Sequence, residues 1–195
     1  MAELARSTEA HQQREQWGFL RRRYECDFDN GITNSGITGS VVLKQRGPLS
    51  PLVIEGEVDG LTDGFHGFHI HEATELPPDN CAATLGHFNP FNTFHGGSTS
   101  TDLTEISGER HTGDLGNIFS VGGKADVLFI ERRESTDPGR ADVRGRVIVI
   151  HAEPDQFTQS GDNLKNAEQY LLTPSDLTHT GRAGARVACC VIVEA

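Results

Sequence analysis

The chain has 195 residues, enough for one domain of ordinary size with an extension. An apolar fraction of 35% and 22 glycines favour an all-β protein with many turns over a helical bundle. A net charge of −11, from 17 basic and 28 acidic residues, argues against nucleic-acid binding, and an anionic ligand would have to be drawn in by local basic groups.

Residues 1–22 read as a polar extension outside the core, with Trp17 and Leu20 near its end, and residues 23–195 as the domain. The opening MAELARSTEAHQQREQWGFLRRR lacks the apolar core of a signal peptide, and no run approaches the roughly 20 apolar residues that span a bilayer. Strands are expected over 37–45, rich in β-branched residues, and over 52–59. In the latter, Ile54, Gly56 and Val58 alternate with Glu55, Glu57 and Asp59, the pattern of a half-buried antiparallel strand. A third strand is expected over 64–72. Residues 73–117 read as a long loop, which in a compact domain is functional or is ordered by something it binds. Further strands are expected over 125–130, 143–151 and 186–193. A second long loop spans 152–184, with a short helix over 162–172 capped by Ser160 or Asp162. The expected architecture is an all-β scaffold carrying two long functional loops.

Cys26, Cys81, Cys189 and Cys190 form no CxxC pair, which argues against a thiolate zinc finger. Their number allows two disulfides in three pairings, or four buried free thiols.

The nine histidines are unevenly spread. His66, His69, His71, His87, His95 and His111 crowd into one stretch that ends in Asp114, and His151 closes the run VIVIH. In a strand, His69 and His71 share a face while Ile70 points to the core. With His151 they make an imidazole-rich set of the kind that suits copper. His87, His95, His111 and Asp114 make a closed, tetrahedral set suited to structural zinc, which would also order the long loop. For any one histidine a structural role is the simpler reading; seven ligand-type residues in two compatible sets favour metal.

In order and spacing, GFHGFHIHE, Cys81, GHFNP, HGG, ERHTGDLGN, VIVIHAEPD and GRAGARVACCVI resemble the copper–zinc superoxide dismutases, over about residues 36–194. The resemblance implies an eight-stranded Greek-key β-barrel or sandwich. It implies copper ligands His69, His71 and His151, a bridging His87, and zinc ligands His95, His111 and Asp114. Asp155 would link a copper histidine to a zinc histidine, Arg186 would attract superoxide, and His87 would carry a proton. Cys81–Cys189 would be the family's disulfide, and His66 would bond backbone. Because Cys189 and Cys190 would point to opposite faces of a strand, Cys26 is the expected partner of Cys190. Adjacent cysteines with an upstream partner resemble the extracellular branch, so an extracellular location is the expectation and a cytoplasmic one the alternative. A homodimer is implied. Both loops are longer than the family's usual spacing. The second has Lys165 as its only lysine and His179 where lysine is common, which implies steering of the substrate that is weaker or differently focused. The alternative function is a non-catalytic copper- and zinc-binding protein on the same scaffold.

Overall fold

A computed structural model describes residues 23–29, 36–76, 81–93, 95–96, 110–156 and 181–195. Among the described residues the strands are β1 (Arg23–Asp27), β2 (Thr38–Gln45), β3 (Leu52–Asp59), β4 (Gly64–His71), β5 (Asp114–Ser120), β6 (Lys124–Glu131), β7 (Val147–His151), β8 (Arg186–Val191) and β9 (Val193–Glu194), with a 3-10 turn at Cys81–Ala83. They form two antiparallel sheets, ordered β6-β3-β2-β1-β9 and β5-β4-β7-β8. This is the all-β Greek-key architecture expected. Strands β8 and β9 are separated only by Ile192, so the final stretch of chain leaves one sheet and joins the other.

Alternation builds the core. Val41, Leu43, Leu52, Ile54 and Val58 face inward from the five-stranded sheet, and Phe68, Ile70, Leu115, Ile118, Ile148 and Ile150 from the other. Strand β7 is buried along its whole length. Ile148 and Ile150 enter the main core, whereas Val147 and Val149 join Ala73, Cys81 and Cys189 in a second cluster on the opposite face. The same alternation divides the vicinal cysteines. Cys190 faces the main core and bonds Cys26; Cys189 faces the second cluster and bonds Cys81. All four cysteines are therefore in disulfides.

Some expected boundaries move. Cys26 lies inside β1 rather than ahead of the first strand. Asp114 opens β5, so the loop expected to run to 117 ends earlier. Strand β7 starts at Val147 because 143–146 form a turn around Gly145, at φ 72°. The N-terminal extension, the helix expected over 162–172, Lys165 and His179 lie outside the described residues.

Candidate metal centre

Two strands, β4 and β7, and the long connection between β4 and β5 deliver the histidines. His69 and His71 project from β4 on the face opposite Phe68 and Ile70, and His151 ends the neighbouring β7. The ladder slips register between Phe68 and His69, and again between Ile150 and His151. Such bulges bend a strand locally and re-aim the side chain beside them, here the two ligand-type histidines. His87, His95 and His111 come from the connection between β4 and β5, and Asp114 from the first position of β5.

These residues converge on two groups. His69, His71, His87 and His151 form one; His87, His95, His111 and Asp114 form the other. Within each group the nearest ligand atoms all lie within 4.8 Å of one another, and every member is buried. His87 belongs to both. Its Nδ1 lies 2.7 Å from Asp114 Oδ1, whereas its buried Nε2 has no hydrogen-bond partner. Asp155 joins the groups from behind, 2.7 Å from His69 Nε2 and 2.9 Å from His95 Nε2.

The ring nitrogens left over test whether metal ions fit. His69 Nδ1, His87 Nε2, His95 Nδ1 and both nitrogens of His111 are buried without hydrogen bonds. His95 Nδ1 and His111 Nδ1 lie 3.0 and 3.3 Å from the Asp114 carboxylate, but outside hydrogen-bonding geometry. Buried polar atoms are normally satisfied. Orphans converging from several chain segments are the donor set a cation would complete. The opposite nitrogens are engaged: His71 Nδ1 lies 3.1 Å from the Leu85 carbonyl and His151 Nδ1 3.2 Å from that of Gly184. Such outer contacts fix the tautomer and leave Nε2 as the atom available to a metal.

The electrostatics agree. Burial, reinforced by neighbouring imidazoles, holds His71 and His87 well below the ordinary histidine range and His151 down to about 3. These rings are neutral, as metal coordination requires. Burial opposes charge on His95 too, but the adjacent Asp114 and Asp155 carboxylates prevail and push it up to about 10. Burial would raise both carboxylates, but the neighbouring imidazoles, His111, His87 and His95 beside Asp114 and His69 and His95 beside Asp155, hold them low. Two buried carboxylates therefore keep negative charge on the His87–His95–His111 side, where a dication would neutralise it.

Arg186 opens β8 beside this centre. Its Nη1 donates to the Ala82 carbonyl at 2.7 Å and to Thr84 Oγ1 at 2.9 Å, and its Nη2 to the Leu85 carbonyl at 2.5 Å. The Cys81–Cys189 disulfide ties the segment carrying these acceptors to the strand carrying the guanidinium. Arg186, His87, His111, Leu85 and Glu72 line one open cavity. His66 stands apart from both groups, with its nitrogens 2.8 Å from the His151 carbonyl and 2.9 Å from that of Thr62.

Sequence reasoning missed several supports. Arg110 is buried, pairs with Glu131 and Glu134, and donates to the Asp114 carbonyl at 2.8 Å, bracing the turn that carries His111 and Asp114. Asn117 holds the Asp155 backbone from both sides, with contacts of 3.0 and 2.7 Å. Gly181, at φ 49°, passes so close that a Cβ would sit 2.0 Å from Asp155 Oδ1 and 2.4 Å from His95 Nε2. Only the proximity of Arg110 to His111 in ERHTGD was visible as a signal beforehand.

The family model of copper/zinc superoxide dismutase matches residues 37–192. The matched span contains every residue of both groups, together with Asp155 and Arg186. The chain belongs to the copper/zinc superoxide dismutase family.

Proposed function

We propose that the chain is an active superoxide dismutase, with copper held by His69, His71, His87 and His151 and zinc by His87, His95, His111 and Asp114. The observation that carries this reading is His87, one imidazole shared by two buried four-residue groups. A neutral imidazole set suits copper, and three imidazoles with one carboxylate suit structural zinc. The reaction is 2 O2•− + 2 H+ → O2 + H2O2. Copper, when bound, supplies the redox chemistry by alternating between Cu(II) and Cu(I).

The chain's own residues supply binding, orientation and protons. Arg186 receives the anion, because its guanidinium lines the cavity and is held by three acceptors. His87 Nε2 has no protein partner, so it is the atom that can hold a proton and pass it to a reduced substrate. His87 Nδ1, beside Asp114, keeps the ring from turning away. Asp155 orients His69 and His95 together, coupling the geometry of the two sets.

The test is superoxide disproportionation by the purified chain, with copper and zinc measured on the same sample. Turnover proportional to copper supports the reading; a chain loaded with both metals yet inactive overturns it. We also propose that the protein works as a homodimer in an oxidising, extracellular setting. Two disulfides that use all four cysteines support the compartment. Free thiols in protein trapped from its native source, or a monomeric mass in sedimentation, would contradict these two points.

A further inference from the structure

Among the described residues, three besides glycine take positive φ: Leu85 at 65°, Asn92 at 53° and Arg182 at 56°. Asparagine enters this left-handed region readily; leucine does not, because its Cβ crowds the following carbonyl. Packing does not reward Leu85 for the strain, since the residue is 59% exposed. Its backbone is tightly held all the same. The Leu85 carbonyl accepts from Arg186 and lies beside His71 Nδ1, and the next carbonyl, of Gly86, accepts from the Glu72 N–H at 2.9 Å. Glycine would meet all these backbone demands without strain. What glycine lacks is a side chain on the cavity wall shared with Arg186 and His87.

We propose that Leu85 is a specificity-determining residue, a steric filter at the mouth of the anion pocket. Its isobutyl group admits a slim, two- or three-atom anion to Arg186 and His87 and hinders a tetrahedral oxyanion such as phosphate. This rests on reading the cavity as the path of the anion to the first histidine group. The filter works by bulk rather than charge, so it discriminates where electrostatic attraction alone would favour the more highly charged phosphate. Backbone strain retained at a ligand site with no packing return points to such a role.

The test separates bulk from strain with three variants of the metal-loaded chain. Leu85→Gly and Leu85→Ala both shorten the side chain, but only the first relieves the strained φ. Leu85→Asn relieves the strain and keeps nearly the full side-chain length. The readout is the rate at which phenylglyoxal, an uncharged and bulky arginine reagent, labels Arg186, followed by peptide mass mapping. Phosphate protection is titrated in the same assay, and azide binding is read from visible absorption. Labelling should quicken about tenfold in the Gly and Ala variants, the scale at which one or two methylenes of fit discriminate ligands. Phosphate protection should tighten in parallel, azide binding should stay unchanged, and the Asn variant should match the parent. Equal labelling in all four proteins, or Leu85→Asn grouping with Leu85→Gly, overturns the proposal. So does azide tightening as much as phosphate. A chain without dismutase turnover that still shows the expected labelling would contradict the proposed function and leave the filter standing.

Discussion

Asp155 touches a histidine of each group without belonging to either, so its loss should be felt in both. Asp155→Asn keeps the shape but removes the charge that both rings face, and an effect of about 10–100-fold on metal affinity is expected. Competition with a chelator, followed for each metal, checks it. Gly181 has a sharper requirement. A methyl there combines a left-handed φ with overlap onto the Asp155–His95 pair, so Gly181→Ala should cost about 2–5 kcal/mol. Thermal unfolding with metals bound measures the loss. His95 sets a pH dependence in the metal-free chain. Its proton is held to about 10, against 6.5 ordinarily, so the stabilisation is complete below about 6.5 and is lost as pH rises through 10. Asp114 and Asp155 are held low, so their contribution is present above the ordinary carboxylate range and is lost as pH falls below it. Zinc arriving at pH 7 must displace the His95 proton, and release of about one proton per zinc is expected. Calorimetry in buffers of different ionisation heat reads that number; no buffer dependence would contradict the assignment.

At the scale of elements, the adjacent cysteines of β8 tie it to β1 of the other sheet and to the 3-10 turn at Cys81–Ala83, and the two disulfides do different work. Cys26–Cys190 sits in the main core between the sheets, away from the metal groups. Replacing both with serine should cost about 2–5 kcal/mol of stability and leave the metals in place. Cys81–Cys189 instead anchors the segment whose carbonyls hold Arg186. Its reduction should lower turnover more than it lowers metal content. Much of this level was legible in the sequence, because the spacing of His69 and His71 states its strand face directly and the motif order fixes the family. The missed parts have physical reasons. β1 is only five residues, and β5 opens at Asp114 and begins with Asp-Leu-Gly-Asn, which reads as loop. Arg110 acts through Glu131 and Glu134, Asn117 through the Asp155 backbone and Gly181 through its closeness to Asp155 and His95, and no local pattern encodes such contacts. Leu85 stands out only once its φ is known.

The whole molecule carries a net charge of −11 and, on this account, consumes an anion. Attraction must therefore be local, and Arg186 is the cation lining the cavity beside His87 and His111. Arg186→Lys keeps the charge but loses the forked donor set that meets Ala82, Thr84 and Leu85. It should fall between the parent and an uncharged variant in second-order rate. With Lys165 the only lysine in the second long loop, the rate should lie below that of family members with more basic loops. Stopped-flow rates across ionic strength check this, and an equal rate with the same salt dependence would count against it. Copper-dependent turnover of superoxide, with both metals quantified on the same preparation, tests the central claim most directly. Activity that scales with copper, at about one copper and one zinc per chain as the two ligand sets require, is the predicted result. Full occupancy by both metals without turnover would contradict it.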